Sequence, residues 1–492
     1  MSAVTSPTST VDYSRKWLVM IAVVAGVILA TIDGSIVNVA MPTLVESLDT
    51  SFSVIQWVSL AYLLTIATLT LGMGRLGDVI GKRTLYAIGF GVFTVASALC
   101  GLAPSVEWLI AFRVVQALGS VLVLALGSAI LVEAFPPNER GKALGWVGTA
   151  VSLGIITGPV VGGLIISGFG WRPIFLVNIP VGIVGTWLAI RYVPKKDPVP
   201  GQSFDVAGTI LMSTALFSLS LSLTLGQDMG YGSTPILIGF AVAAIAAIAF
   251  VFAELRAESP MLQLRLFRNP VLTVSVASGY LAFVCLSATF LLMPFYMQGV
   301  LGYEVGFIGL LLGAAPLAMG VVSPLSGSLS DKVGIRRLTL IGLMLIAAAY
   351  LVLLTFDTET TPLGYLLHAL PLGIGVGLFQ SPNNSAIMGS VPPEYMGVGG
   401  GLLTITRLFG SISGVALLGS IWAASVASAA GGELPPGGAS TADPIAQVSG
   451  LHTTFTVAAV IMAVALVIGV WGFRNERLTR AAAGSEPFPA EA

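Results

Sequence analysis

The sequence predicts an all-α integral membrane protein with fourteen transmembrane helices, built as two six-helix repeats around a two-helix insertion. Three observations predict it. Hydrophobic residues fill 55% of the 492 positions and charged residues only 9%, with a mean hydropathy of +0.95, whereas soluble domains carry roughly 25% charge. Apolar runs of about 18 to 25 residues, long enough to cross a bilayer core, recur along the chain. A charged turn at 74–83, GRLGDVIGKR, is written again at 327–336 as GSLSDKVGIR, 253 positions later. A net charge of −1 leaves no clustered basic face for nucleic acid.

The first run, 17–40, follows a polar start that has no small-residue cleavage site, so it reads as a retained helix and not as a signal peptide. Runs at 54–73, 84–103, 108–132, 143–166 and 174–192 complete a bundle over 17–194. The repeat offset exceeds that bundle by almost the length of 195–270, which marks the runs at 206–225 and 235–252 as inserted. Runs at 271–297, 305–322, 338–356, 363–388, 399–424 and 454–471 form the second bundle, 271–473. The ends, 1–16 and 474–492, and the Gly/Pro/Ala-rich loop 429–450 are too short for a folded domain. Basic residues check the count through their sidedness. With both termini cytoplasmic, 19 of the 22 Lys and Arg fall inside, Arg172 falls outside, and Arg113 and Arg407 lie within spans.

Asp33 sits about two-thirds along the first span. An ionised carboxylate is costly in apolar surroundings, so this one is either functional or held by a partner. A proton, a cationic ligand and a nearby arginine each offset the cost, and they compete for one site. Arg113, with Gln116 almost one turn further on the same face, can neutralise such a carboxylate, as a coupling residue or as an anchor. Arg407 reads as structural. Asp78, Lys82, Arg83, Asp331, Arg336 and Arg337 form the repeated turn with Glu133 nearby. Ion pairs there can latch one face of the bundle and release it, biasing two states. Gly145, Gly154, Gly158, Gly162 and Gly163 give one span a small-residue face for close helix approach, and Pro159 allows a bend. Candidate pocket residues are Gln56, Trp57, Tyr62, Phe283, Phe290, Met293, Tyr296, Asn383 and Asn384, for aromatic and amide contacts with organic molecules. Cys100, Cys285 and His368 read as packed residues. The loops hold no Ser/His/Asp set and no metal-ligand spacing, so nothing suggests an enzyme or a metal site.

Five of these motifs, in order, resemble the major facilitator superfamily, fourteen-helix drug:proton antiporter type, over nearly all of 17–471. The turn at 74–83 is similar to G-x-L-x-D-x-x-G-R-K-x, and 113–119 is similar to R-x-x-Q-G-x-G, with Ala117 in place of a glycine. Gly145, Gly154, Gly158-Pro159 and Gly162-Gly163 match the motif of that superfamily's antiporters. The stretch 32–42 resembles L-D-x-T-I-V-N-V-A-L-P, departing at Gly34-Ser35 and Met41, and Trp171-Arg172 with Phe175, Asn178 and Pro180 completes the match. The resemblance implies a monomeric, multi-pass protein of the cytoplasmic membrane that needs no cofactor. Its implied activity is export of hydrophobic, often cationic, drugs against protons by alternating access, with Asp33 and Arg113 coupling the proton. An endogenous lipid, siderophore or antibiotic is the alternative cargo, and a proton-coupled importer a further one.

Overall fold

The computed structural model describes residues 15–136, 139–194, 205–257, 264–391, 396–432, 434–435 and 438–482. Within them the chain is helical, with no strand. The first six spans are α1 (Lys16–Ser47), α2 (Trp57–Ile80), α3 (Lys82–Gly101), α4 (Val106–Ala134), α5 (Arg140–Phe169) and α6 (Asn178–Tyr192). The insertion is α7 (Val206–Met229) and α8 (Thr234–Arg256). The second six are α9 (Pro270–Phe295), α10 (Ala314–Val333), α11 (Ile335–Leu353), α12 (Pro362–Gly389), α13 (Met396–Ser413) and α14 (Pro444–Ala482). One-turn helices precede α2 (Phe52–Ile55) and α6 (Pro173–Leu176), a two-turn helix Val305–Leu312 leads into α10, and Gly419–Ala429 extends α13. Thirteen helices among the described residues are long and apolar enough to cross a membrane. The fourteenth is the 30-residue α5, with its apolar stretch Leu153–Phe169. The protein is a multi-pass membrane protein.

Local chemistry sets several boundaries. Asp205, Asn269 and Thr361 cap α7, α9 and α12 by accepting from Gly208 N, Val271 N and Gly364 N at 2.7, 3.0 and 3.1 Å, each satisfying an orphan amide. Pro270 and Pro362 occupy first positions, where no amide is missed. The repeated turn has a conformational cause: Gly81 and Gly334 both take positive φ, 105° and 96°. That lets one helix stop on a 5→1 bond, Gly81 N to Gly77 O and Gly334 N to Ser330 O, and the next begin at once.

Two ends of the bundle differ. Call the end bearing Lys16, Lys82 and Asp205 the basic end. At the opposite end one apolar cluster joins both halves, with Phe52 and Ile55 packed among Phe295, Trp422 and Val426. Toward the basic end the clusters separate. One, containing Val19, Tyr86, Phe90, Leu126 and Phe135, belongs to the first half, and another, Leu272, Ile387, Val391 and Leu402, to the second. The halves are joined far from the basic end and splayed toward it.

The glycines of α5 build two seams. A Cβ at Gly154, Gly158 or Gly162 would collide with Thr31, Ser35 or Ile36 of α1, and Ser35 Oγ donates to Gly154 O at 3.0 Å. Gly163 faces the other half, where a Cβ would lie 2.6 Å from Val305 O and 3.0 Å from Gly309 Cα. Gly145's surroundings lie outside the described residues. From Gly154 to Gly163 these glycines form a packing surface.

The insertion is less peripheral than its composition implies. α8 faces outward, with 17% of its span buried, and packs on α7. α7 lies against the seam: Phe217 meets Trp57 of α2 with ring centroids 6.0 Å apart, and Ser420 Oγ, from the other half, donates to Leu223 O at 2.9 Å.

Candidate functional site: a buried carboxylate beside a central cavity

Asp33, fully buried in α1, accepts from three side chains. Arg113 Nη1 of α4 donates to Oδ2, and Gln116 Nε2 and Asn178 Nδ2 donate to Oδ1 at 2.7 and 2.8 Å. Arg113 is equally enclosed, at 1% exposure. It also donates to Gln116 Oε1 at 2.6 Å and, through Nε, to Val58 O at 3.1 Å, while its guanidinium lies 3.9 Å over the Tyr62 ring. Gln116 Nε2 reaches Ser97 Oγ at 2.8 Å, and Tyr62 OH pairs with Ser120 Oγ at 2.8 Å. Such a buried pair persists because each charge is met by the other and by further hydrogen bonds; stripping one partner leaves an uncompensated charge. Asp33, Arg113 and Gln116 stand out in the sequence as charged and amide groups within spans. Asn178 does not stand out beyond its motif, because α1 and α6 meet only in the fold.

Next to this cluster a cavity of about 1130 Å³ separates the halves, somewhat above the range of about 300–1,000 Å³ that ligand sites usually occupy. Lys82, Asp205 and Met388 line its mouth at the basic end, and Asn38, Ser59, Tyr365 and Leu372 its inner reach. Above it the Phe52, Phe295 and Trp422 rings close the bundle in edge and tilted contacts, with centroids 4.7 to 6.1 Å apart. Tyr62, Phe283, Phe290 and Met293 line the cavity.

Other expected pocket residues lie elsewhere, for local reasons. Gln56 is buried under the aromatic closure and donates to Ser53 O at 3.3 Å. Trp57 packs on α7. Tyr296 donates to Asp357 O at 2.6 Å and stacks toward Phe356. Asn383 crosses from α12 to α9, donating to Ser275 O at 3.1 Å, and neither it nor Asn384 reaches the cavity. Arg407, read from sequence as structural, lines the cavity instead. His368 is tied to Thr355 Oγ1 at 2.7 Å and stacked on Phe356, and Cys100 and Cys285 are buried free thiols.

At the repeated turn, Lys82 Nζ pairs with Glu133 Oε1 at 2.7 Å, and Arg83 donates to Ile190 O. Lys16 pairs with Glu139 at 2.5 Å. These contacts stay inside the first half, so they stiffen it without tying it to the second. Arg336 lies at the base of the second half beside Thr339 and Asn383, and Arg337 is exposed one residue on. The side chains of Asp78 and Asp331 lie outside the described residues. A cross-half polar contact at the far end is Gln298 Nε2 to Glu46 Oε1, 3.3 Å.

Two helical halves around a shared cavity, with a buried ion pair in its wall, define a membrane transporter rather than an enzyme. The chain belongs to the Major Facilitator Superfamily, whose pattern matches residues 23–415. It is 36% identical over 418 residues to the riboflavin transporter RibZ of Clostridioides difficile (strain 630), covering 84% of this chain and 89% of that one. It is 34% identical over 409 residues to the multidrug resistance protein Stp of Mycobacterium tuberculosis (strain CDC 1551 / Oshkosh), covering 83% and 76%. Its fold matches the crystal structure of a bacterial homolog to the human lysosomal transporter Spinster, with a TM-score of 0.65 at 17% identity over 94% of this chain and 97% of that one.

Proposed function

We propose that this transporter exports hydrophobic small molecules, drugs and antibiotics among them, in exchange for protons. The observation that carries the reading is the Asp33 cluster in the cavity wall: Asp33 is sealed from solvent, while its partner Arg113 borders the cavity. A proton on Asp33 removes the charge that holds Arg113, so protonation and cavity shape become linked. The positive-inside bias puts the basic end in the cytoplasm, which makes this the inward-open state: cargo enters by Lys82 and Asp205, and the aromatic closure blocks the outside. Rocking of the halves about the α5–Val305 seam then exchanges the faces.

A multidrug resistance protein among the relatives supports this cargo class, and a methylenomycin A resistance protein of Streptomyces coelicolor supports the antibiotic variant. The riboflavin transporter supports a second reading, a planar metabolite carried across the membrane. The experiment is reconstitution in vesicles with a trapped pH dye. Substrate addition that moves protons in the opposite direction supports exchange, and substrate flux with no proton movement overturns it.

A further inference from the structure

We infer that Arg407 is the docking point for a negatively charged group on the cargo, so that the cavity selects amphipathic organic anions. This rests on the reading of the cavity as the cargo site, but it reverses the cationic preference expected from the family resemblance.

The two arginines in the wall are in opposite situations. Arg113 is held: the Asp33 carboxylate and the Gln116 amide oxygen accept from its Nη1, and the Val58 carbonyl accepts from its Nε. Arg407 has no ion pair among the described residues, and its Nε is buried with no hydrogen-bond partner. The centre of the Phe283 ring lies 5.8 Å from its guanidinium carbon. Arg407 lies eleven residues into α13, about 16 Å from the basic end at about 1.5 Å per residue, which is midway through a bilayer core of about 30 Å. A cation at that depth is costly, and a structural role would normally come with an anion or carbonyl to receive it. Here the guanidinium borders open volume instead.

The surroundings complete an amphipathic site. Ser411 is one turn beyond Arg407 on the same face, and Ser287 Oγ donates to Ser411 Oγ at 2.8 Å. Phe283, Phe290 and Met293 supply the apolar wall around them. Acidic competition is confined to the mouth: among the described lining residues Asp205 is the one carboxylate, and Asp33 is occupied by Arg113. A cationic cargo would meet an unneutralised arginine, whereas a carboxylate or sulfonate on an aromatic body would pair with Arg407 through charge-assisted hydrogen bonds and rest on the rings.

The test is equilibrium binding to purified full-length protein in nanodiscs, read by fluorescence anisotropy with no gradient. The probes are 1-pyrenebutyrate, 1-pyrenebutanol and 1-pyrenebutylammonium, which share one ring system and one linker length. One charge-assisted bond predicts that the anion binds about tenfold to a hundredfold tighter than the alcohol. Arg407→Gln should erase that preference and keep the alcohol's affinity, which also certifies the fold, while Arg407→Lys should retain part of it. Tightest binding of the ammonium probe, or an anion preference that survives Arg407→Gln, overturns the inference. Failure of the export reading is distinguishable: it would appear as absent flux of all three probes while the equilibrium preference stands.

Discussion

Arg113 and Asp33, eighty positions apart in the chain, form an ion pair in which Asp33 is fully buried and Arg113 is 1% exposed. Both are also held by Gln116, so the carboxylate, the guanidinium and the amide form one closed ring of hydrogen bonds. Removing the arginine alone should therefore cost more than removing both charges. Arg113→Ala is expected to destabilise the protein by about 3–5 kcal/mol, and Asp33→Asn with Arg113→Gln by much less. Thermal unfolding in detergent checks this; a double variant less stable than Arg113→Ala would contradict it.

Asn178 holds the remaining position on the carboxylate, 2.8 Å from Oδ1. Asn178→Ala should leave Asp33 one donor short, at about 1–3 kcal/mol. Gradient-driven transport should slow while substrate affinity in the absence of a gradient stays unchanged. An unchanged transport rate would separate Asn178 from the coupling site.

Much of this was legible in the sequence, and what was not failed for definable reasons. The repeated turn announced two halves because a glycine with positive φ between abutting helices leaves a fixed signature at Gly81 and Gly334. Asp33 and Arg113 stood out because ionised groups are rare in spans. The pocket was read less well, since helices that meet lipid on one side and protein on the other are apolar all round and give no inward face. Polarity then misled: Gln56, Tyr296 and Asn383 satisfy their polar groups on nearby carbonyls, whereas Arg407 faces the cavity. The Phe52, Phe295 and Trp422 closure could not be found at all, because it is assembled from three separate spans by tertiary packing.

That closure predicts a shift of state. Phe52 meets both Phe295 and Trp422 across the halves, so Phe52→Leu should weaken the far-end joint and populate the opposite opening. A cysteine placed at the cavity-lining Met293 should react faster with an impermeant maleimide from the far side, against a quiet background from the buried Cys100 and Cys285. An unchanged labelling rate would remove the aromatic rings from gating.

Gly163 allows α5 to approach the Val305–Leu312 helix of the other half. Gly163→Val should push the halves apart there and slow transport more strongly than Gly168→Val, since Gly168 faces open space. Equal transport rates for the two variants would show that the close seam is not needed for the cycle.

The central claim is that Asp33 links a proton to cargo movement. Its most direct measurement compares wild type and Asp33→Asn in proteoliposomes, following substrate accumulation driven by a pH gradient beside gradient-free binding of the same substrate. Arg113 keeps its bonds to Val58 O and Gln116 and borders the cavity, so the variant should fold and bind. Accumulation should fall to the level of empty vesicles while binding persists; full gradient-driven accumulation by Asp33→Asn would contradict the account.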